Sequence, residues 1–488
     1  MEQTGHGNAR DLKICRTAEE AVARIRELYE GAAERIRERH RRFVAGDHEP
    51  DGVLDACYPY VGIEVGHSEL NVAPRTTYGA LRNAGVHGTT VTRPDIFADY
   101  YREQLGLLIE HHGVPVLVGV SDEPMPLPFV VEEATADLTA EQVRQMERIF
   151  HLPNLGRIGD AIANGTHRTP PGHPLPLSLF PALRVDLALQ RLHHYTGTDP
   201  RHFQGFVLFT NYQRYVDDFI AYGHEQVVDS AVYTAFVEPG DVVEDGDPET
   251  PAGGVPPAQQ PPMPAYHLKR ADGLGVTLIN IGTGPSNAKT ITDHLAVLRP
   301  HCWIMVGHCG GLRRSQQLGD YVLAHAYIRE DHVLDQDLPL WVPVPPIAEI
   351  QVALQQAVVA VTGLTGSDIK TRLRTGTVAS TDNRNWEFRY EELYERFSQS
   401  RAIAVDMESA TIAANGFRLR VPYGTLLCVS DKPMHGELKL RSMANAFYHT
   451  RINQHLTIGL ETLRVLEEAG IDALHSRKLR SFDEPAFR

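Results

Sequence analysis

The chain has 488 residues, of which 42% are hydrophobic and 22% charged, a length and composition typical of a globular protein with two or three domains. Its formal net charge of −15 at pH 7 disfavours a general nucleic-acid-binding role, because that role needs a basic surface. The five cysteines show no metal-ligand spacing, and no apolar run approaches the ~18 residues of a membrane span. We therefore expect a cytoplasmic protein without a metal, a nucleic-acid partner or a membrane partner.

The first part of the chain predicts a smaller α+β domain over residues 1–169. The segment TAEE has the pattern of a capping box, so we expect a helix to begin at Thr17, with Glu20 completing the box. Two strand-like runs, YVGIEV and PVLVGV, then flank a helical segment, DIFADYYREQLGLLIEHH. Proline is frequent in the segment that follows, which predicts a linker over residues 170–182.

The rest of the chain, residues 183–488, predicts a larger α/β domain. Apolar runs of strand length alternate here with helical segments, a pattern typical of a sheet with many parallel strands. The strand-like runs are GVTLINIG, CWIMVGHCG, TGTVAST, AIAVDM and YGTLLCVS. Ligands bind such sheets beyond the carboxyl ends of the strands, so we expect the functional residues where these runs end.

Four motifs at the ends of these runs carry small or polar residues, namely NIGTGPSNA, VGHCGGL, DMESA and VSDKP. Each has a structural explanation by itself. Gly282 and Gly284 suit a tight turn, whereas Glu408 suits the first turn of a helix. Asp431 suits the cap of a turn. An earlier segment, VSDEPM, nearly repeats VSDKPM, but Asp122 within it lacks the other motifs, so we expect it to be structural.

GHCGG, DMESA and VSDKP, in this order at the ends of successive strands, resemble the purine nucleoside phosphorylase and uridine phosphorylase superfamily over roughly residues 203–488. Together with the first domain and the segments INIGTGPSNAKT, RTGTVASTDNRNWE and LHSRKLRSFDEPAFR, the whole chain resembles the AMP nucleosidase family. This resemblance implies a nucleoside-phosphorylase-like sheet, mixed or mostly parallel and flanked by helices. It also implies hydrolysis of AMP to adenine and ribose 5-phosphate.

The resemblance implies that Asp431, preceded by Ser430, protonates the leaving purine. It also implies that Glu408 accepts hydrogen bonds from the ribose hydroxyls while Met407 packs against the sugar. An ordinary aspartate, with a pKa of ~3.9, is protonated in only about one molecule in a thousand at pH 7. We therefore expect burial at the end of an apolar strand to raise the pKa of Asp431, and we expect Lys432 to point away from it.

The second substrate separates a hydrolase from a phosphorylase. The resemblance aligns Met305 and His308 with an arginine and a serine that hold phosphate in the phosphorylases. Loss of these groups weakens phosphate binding, which leaves water as the nucleophile. We hypothesise that His308 orients or deprotonates this water. We expect the backbone of the glycine turns at Gly282, Gly284 and Gly310 to approach a bound ligand.

Three further residues are assigned by the resemblance. The strand in FVLFTNYQRYV aligns with the first strand of the superfamily and places Arg214 near a phosphate, either the 5′-phosphate of AMP or a regulatory one. The proline-rich residues 244–264 are then an inserted loop of the second domain and not a boundary. Trp386 is a candidate base-stacking residue, with a core tryptophan as the alternative, and His267 is a candidate contributor across a subunit interface.

The resemblance implies a regulatory first domain, with Mg-ATP as an activator and phosphate as an inhibitor, and no cofactor for the chemistry. Arg75 and Arg93 are candidate anion ligands there, with a surface ion pair as the alternative. A homo-hexamer, built as a trimer of dimers, is also implied. The competing functions are a purine nucleoside phosphorylase, another nucleosidase of this fold and a nucleotide sensor without activity. The presence of both Asp431 and Glu408 disfavours the sensor.

Overall fold

The computed structural model describes residues 5–48, 52–73, 76–132, 138–247, 253–436, 445–474 and 479–488. The chain forms two compact units, Met1–Gln190 with the C-terminal segment Ser481–Arg488, and Arg191–Arg480. This division differs from the predicted boundaries at two places. The predicted linker and residues 183–190 belong to the first unit, and the C-terminal segment belongs to the first unit instead of the second.

The first unit is an α+β unit built on one sheet. Its strands are β1 (Arg10–Cys15), β2 (Cys57–Val65), β3 (Gly85–Thr90), β4 (Val116–Pro124) and β5 (Leu175–Pro176). Among the described residues they form a five-stranded sheet in the order β1-β4-β2-β3-β5. The helices are α1 (Ala18–Val44), α2 (Pro94–His112) and α3 (Ala140–Met146), and α4 (Ala182–Thr196) begins in this unit and ends in the second. Because β5 pairs with β3, the proline-rich residues 170–182 contribute a strand to this sheet and are not a linker.

Helix α1 begins where the capping-box pattern predicts. Thr17 is its N-cap, and the Thr17 side chain accepts a hydrogen bond from the backbone N–H of Glu20 at 3.2 Å. The Glu20 carboxylate accepts a hydrogen bond from the backbone N–H of Arg16 at 2.7 Å, one residue before the expected partner. The apolar face of the helix is buried at Ile25 and Ile36. Capping and burial of one face therefore both stabilise this helix.

The second unit is built on a mixed sheet. Its strands are β6 (Phe206–Thr210), β7 (Ala235–Glu238), β8 (Val242–Glu244), β9 (Ala265–Lys269), β10 (Val276–Asn280), β11 (Cys302–Gly311), β12 (Tyr321–Glu330), β13 (Leu373–Thr381), β14 (Ala404–Asp406) and β15 (Tyr423–Asp431). Over the part of the chain that the structure describes, the order is β14-β13-β12-β15-β11-β6-β10-β9-β7-β8, and β14 also pairs with β11. The strands β11, β15, β12, β13 and β14 therefore close into a ring.

Helices flank this sheet, as predicted, and the central strands are buried. The helices are α5 (Gln213–Asp229), α6 (Pro285–Leu295), α7 (Ala348–Thr362), α8 (Tyr390–Gln399), α9 (Ser409–Leu419) and α10 (Asn445–Ala469). The neighbouring strands β15, β11, β6 and β10 run parallel, so their carboxyl ends meet at one edge. The second proline-rich stretch, residues 244–264, connects β8 to β9, and both of these strands belong to this sheet. Among the described helices, none has the length and apolar character needed to cross a membrane.

The C-terminal segment is held in the first unit by backbone hydrogen bonds and by one buried ring. The N–H of Phe487 donates to the carbonyl of Leu177 at 2.9 Å, and the N–H of Gly79 donates to the carbonyl of Ala486 at 2.8 Å. Phe487 is 4% exposed and lies edge-on to Tyr100, with 6.2 Å between the ring centroids. These contacts explain why a segment that follows the second unit in sequence belongs to the first.

We expect Phe487→Ala to lower the free energy of unfolding by about 3–5 kcal/mol, because the substitution leaves a cavity in a packed core. Phe482→Ala is the matched control, since Phe482 lies in the same segment but is 87% exposed. The control should change the free energy of unfolding by less than about 0.5 kcal/mol. Urea unfolding followed by circular dichroism measures both variants, and equal effects would contradict this packing.

Candidate active site

A cavity of about 240 Å³ lies in the second unit where six strands end. Its lining residues are Asn211, Tyr212, Thr283, His308, Cys309, Gly310, Thr381, Arg384, Trp386, Glu387, Val405, Asp406, Met407, Glu408, Ser430, Asp431 and Pro433. These residues end or follow β6, β10, β11, β13, β14 and β15. The cavity therefore lies where ligands bind such sheets. The predicted site residues that it brings together are Asp431, Glu408, His308, Met407, Trp386, Ser430 and Gly310.

A larger cavity, of about 430 Å³, lies within the first unit. Its lining includes Arg82, His87 and Arg168 together with part of the C-terminal segment. Among the described residues that line it, none was predicted for catalysis or substrate binding. The smaller cavity is lined by Glu408 and Asp431, the two carboxyl groups predicted for catalysis, and is therefore the candidate active site.

Glu408 is the N-cap of α9 and is only 1% exposed. Its Oε1 accepts a hydrogen bond from the backbone N–H of Gly284 at 2.6 Å, and its Oε2 accepts one from Nδ2 of Asn211 at 3.1 Å. Burial and, to a smaller extent, the nearby Asp406 carboxyl group raise the pKa of Glu408 to about 8. Burial therefore favours the protonated form of Glu408, whereas both hydrogen-bond donors favour its ionised form.

Asp406, two residues earlier, is also buried, and burial raises its pKa. Its carboxyl group accepts hydrogen bonds from the hydroxyl of Ser380 and from both the backbone N–H and the hydroxyl of Ser409. These bonds join the end of β13 to the start of α9. Asp406 therefore fixes the turn that carries Met407 and Glu408, a role that the sequence analysis of DMESA missed.

The glycine turn after β10 contacts side chains of the protein itself. Gly282 and Gly284 have φ angles of 65° and 117°, a region that favours glycine. The N–H of Gly282 donates to Oδ1 of Asn280 at 3.1 Å, and the N–H of Gly284 donates to Glu408. Neither glycine lines the cavity, although Thr283 between them does. The turn therefore contacts the Glu408 carboxyl group, and its predicted approach to a bound ligand stays a prediction.

Asp431 ends β15 and is partly buried in the lining of the cavity. The hydroxyl of Ser430 donates a hydrogen bond to Oδ1 of Asp431 at 2.5 Å. A register shift, with Ser430 as the extra residue in β15, brings Gly310 opposite Asp431 in the parallel pairing of the two strands. Lys432 is 7% exposed and is not among the residues that line the cavity. The raised pKa that the sequence suggests for Asp431 stays a prediction.

His308 lines the cavity with its ring packed against two tyrosines. The ring centroid of Tyr212 lies 3.9 Å from that of His308, and the centroid of Tyr215 lies 5.6 Å away. Met305, which aligns with a phosphate-binding arginine of the phosphorylases, is fully buried and does not line the cavity. The imidazole is therefore the nitrogen base that β11 contributes to the cavity.

Trp386 belongs to the hydrophobic core and to the cavity at once. It is 6% exposed and packs edge-on against Phe397, with 5.6 Å between the ring centroids, in a cluster that includes Leu393. It also lines the cavity, as does the exposed Arg384 two residues earlier. Trp386 is therefore a core tryptophan that also borders the cavity, and its stacking on a base stays a prediction.

Two predicted substrate-binding residues lie away from the cavity. Arg214 lies in the first turn of α5 and does not line the cavity. Burial raises the pKa of the nearby Asp218, and the positive charge of Arg214 offsets this only in part. His267 is fully buried in β9, where its ring nitrogens hydrogen-bond to Thr277 and Thr198 at 2.9 Å each. Burial holds the pKa of His267 well below its usual value, so this ring is a neutral part of the core.

The candidate anion ligands of the first unit are not joined into a site by the described residues. Arg93 donates three hydrogen bonds to the carboxylate of Asp95, from Nε to Oδ1 at 2.9 Å and to Oδ2 at 3.2 Å, and from Nη2 to Oδ2 at 2.7 Å. This matches the ion-pair alternative for Arg93. Arg75 lies outside the described residues.

Sequence analysis missed Asn211 and Tyr212, which directly follow β6 and line the cavity. The signal was present, because the apolar run FVLFT ends at Thr210 and the polar residues come next. The alignment of this strand with the superfamily drew the prediction to Arg214 instead, in the first turn of the following helix.

Comparisons with known proteins match both units. Residues 20–174 match the family described as bacterial AMP nucleoside phosphorylase N-terminus, and residues 249–456 match the phosphorylase superfamily. The AMP nucleosidase of Escherichia coli strain K12 is 48% identical over 481 residues, 97% of this chain and 98% of the relative. The AMP nucleosidase of Escherichia coli O157:H7 gives the same figures. The crystal structure of AMP nucleosidase from Bacteroides thetaiotaomicron VPI-5482 is 29% identical, covering 58% of this chain and 98% of that chain with a TM-score of 0.43.

We expect Glu408 to release its proton near pH 8, because burial and the nearby Asp406 disfavour its ionised form. Side-chain ¹³C NMR of glutamate-labelled protein measures this, with the resonance identified by its loss in Glu408→Gln. Asp406→Asn should move the midpoint to lower pH, since it removes the like-charged neighbour. A wild-type midpoint near the ordinary glutamate value of ~4.3 would contradict the expectation.

Proposed function

The chain belongs to the AMP nucleosidase family, and we propose on this basis that it hydrolyses the N-glycosidic bond of AMP to adenine and ribose 5-phosphate. The observation that carries the proposal to the cavity is that Asp431 and Glu408, from different strand ends, line it together. Cleavage of this bond needs a proton for the departing purine and a site that tolerates positive charge on the sugar. We assign the proton to Asp431 and the stabilisation of the sugar to Glu408.

Asp431 is the proposed acid. A bound purine covers this partly buried carboxyl group further and so favours its neutral form. As the C–N bond breaks, the electron pair of the bond stays with the purine, and Asp431 donates its proton to a ring nitrogen. Trp386, which lines the same cavity, offers an aromatic ring on which the base can stack.

Glu408 is the proposed ligand of the ribose. Its ionised form accepts hydrogen bonds from both hydroxyls, and its charge favours the positive character that the sugar acquires in the transition state. Because the pKa of Glu408 is raised to about 8, productive binding at neutral pH accompanies loss of its proton. Met407, beside it in the lining, packs against the sugar.

Water is the proposed nucleophile, since the positions that hold phosphate in the phosphorylases carry Met305 and His308 here. The water oxygen bonds to C1′ of the ribose, and one water proton passes to His308 as general base. The buried packing of His308 against Tyr212 supports this role, because it fixes the ring at the cavity. Replacement of His308 by alanine should therefore reduce turnover.

Arg384 is the proposed ligand of the 5′-phosphate. Among the described lining residues it is the one with a permanent positive charge, whereas Arg214 does not line the cavity. A guanidinium group binds a phosphate through charge-assisted hydrogen bonds. Its exposed position suits the end of the nucleotide that remains hydrated.

The central test is incubation with AMP in phosphate-free buffer, with adenine and ribose 5-phosphate followed by chromatography. We expect Asp431→Asn to lower kcat by about 10²–10⁴-fold with nearly unchanged AMP binding, because an amide cannot transfer the proton. Asp122→Asn is the matched control, since Asp122 shares the VSD sequence but lies in the first unit, where Asn8 donates a hydrogen bond to it.

Each contrary outcome of this test identifies a different function. Product from adenosine and phosphate, but none from AMP, would indicate a phosphorylase. Tight AMP binding by the wild-type protein without any product would indicate a sensor. Wild-type turnover in Asp431→Asn would remove Asp431 from the role of the acid.

Arg384→Ala should lower kcat/KM for AMP about 10- to 100-fold, because a hydrogen bond to a charged group contributes about 1.5–3 kcal/mol. Hydrolysis of adenosine, which has no phosphate, should change by less than about threefold, within the usual effect of a surface substitution. Arg389→Ala is the matched control, since Arg389 forms an exposed ion pair with Glu392 in the same segment. Equal losses for AMP and adenosine in Arg384→Ala would contradict the phosphate contact.

Regulation and assembly complete the proposal. By the family resemblance we also propose regulation through the first unit by Mg-ATP and by phosphate, assembly as a homo-hexamer and a cytoplasmic role in purine salvage. The chemistry described above needs no cofactor. Activity measured with and without Mg-ATP and phosphate, and light scattering of the purified protein, test these parts separately.

A further inference from the structure

Asn211 directly follows β6, and of its two side-chain amide atoms only the nitrogen forms a hydrogen bond among the described residues. Its Nδ2 donates a hydrogen bond to Oε2 of Glu408 at 3.1 Å. Its Oδ1 is buried and has no hydrogen-bond partner among the residues that the structure describes. Such atoms are rare in folded proteins, because an acceptor removed from water without a partner destabilises the fold.

The pairing of β6 explains where this amide lies. β6 runs parallel to β10 on one side and to β11 on the other. Asn211 therefore follows a strand that lies between the glycine turn contacting Glu408 and the strand that carries His308. Its Oδ1 lies beside β11, since a Cβ added to Gly307 would stand 3.3 Å from it. The amide thus spans the distance between Glu408 and β11 in the lining of the cavity.

The unpartnered oxygen has two explanations. It is either a tolerated defect of the fold or an acceptor whose donor arrives with the reactants. The second explanation fits the surroundings better, because Asn211 lines the cavity and its other amide atom holds the carboxyl group that binds the ribose. A carbonyl oxygen accepts hydrogen bonds from hydroxyl groups and from water, and both take part in hydrolysis.

We propose that Asn211 is a positioning residue for AMP hydrolysis. Its Nδ2 orients Glu408 and favours the ionised form, and its Oδ1 accepts a hydrogen bond from an O–H group of the reactants. That group is the attacking water or the 2′-hydroxyl of the ribose. In the second case Glu408 accepts a hydrogen bond from the 3′-hydroxyl alone, because a hydroxyl has one hydrogen to donate. The inference rests on the proposed function, because both groups belong to that reaction.

A neutral amide meets both requirements at this position. Alanine removes the donor that favours ionised Glu408, so the carboxyl group would hold its proton to higher pH. Aspartate has nearly the same shape, but it places a second negative charge beside Glu408 and strengthens that effect. Asparagine supplies a donor on one side and an acceptor on the other.

The first test is the pH dependence of kcat/KM for AMP. We expect the acid limb, set by protonation of Glu408, to move to higher pH by at least about half a unit in Asn211→Ala and further in Asn211→Asp. Asn383→Ala is the matched control, since the Asn383 side chain accepts a hydrogen bond from the N–H of Asn385 and does not line the cavity. In this control, the acid limb of kcat/KM should stay at the wild-type pH. Loss of activity in Asn211→Ala with an unmoved limb would overturn the inference.

A second substrate distinguishes the two sources of the O–H group. If Oδ1 accepts from the 2′-hydroxyl, Asn211→Ala raises KM about 5- to 10-fold for AMP and leaves KM for 2′-deoxy-AMP unchanged. If Oδ1 accepts from water, kcat falls about tenfold for both substrates. Either result supports the acceptor role of Asn211. Unchanged kcat and KM for both substrates would overturn it.

A measurement without substrate separates this inference from the proposed function. The ¹³C titration of Glu408 is compared between wild type and Asn211→Ala, with thermal unfolding used to show that both are folded. An upward shift of the midpoint supports the link between Nδ2 and Glu408 even if the wild-type protein does not hydrolyse AMP. An unmoved midpoint in a protein that does hydrolyse AMP would overturn the inference and leave the proposed function intact.

Discussion

The burial of two carboxyl groups where β14 meets α9 is the constraint on which the active site depends. Asp406 and Glu408 are two residues apart, and burial raises the pKa of both. Their hydrogen-bond donors come from the end of β13, the first turn of α9, the glycine turn after β10 and the residue after β6. A buried carboxyl group without partners is strongly destabilising, so these segments must meet at one point. The contacts that satisfy the fold therefore also place the Glu408 carboxyl group, the proposed ligand of the ribose.

The closed ring of strands brings these segments together. Because β14 pairs with both β13 and β11, the ends of the ring strands surround one cavity. The repeated VSD sequence shows how much depends on this arrangement. Asp122 lies in β4 and accepts a hydrogen bond from Asn8 at an exposed position, whereas Asp431 lines the cavity. Two nearly identical strand ends differ in role because only one of them belongs to the ring.

The architecture of the second unit could be predicted because parallel strands buried on both faces appear as apolar runs. The roles of Glu408 and Asp431 were implied by the resemblance to a family. Glu408, Asp431 and His308 follow or end such runs, so a local pattern locates them. His267 also lies in a strand, but its role depends on Thr198 and Thr277, whose closeness to it no local pattern reveals. The same reasoning explains why the roles of Asp406 and Asn211 were missed.

The sequence by itself determined the capped first helix, the strand ends and the resemblance to a family, because these depend on local periodicity and on motifs in a fixed order. Only the tertiary structure decided that the N–H of Gly284 contacts Glu408, that Asn211 lies between Glu408 and β11, and that the C-terminal segment belongs to the first unit. The physical reason is that these features depend on contacts between residues that are far apart in the sequence. A hydrogen bond requires its donor and acceptor within about 3 Å, and the pKa of a carboxyl group depends on the burial that distant segments create around it.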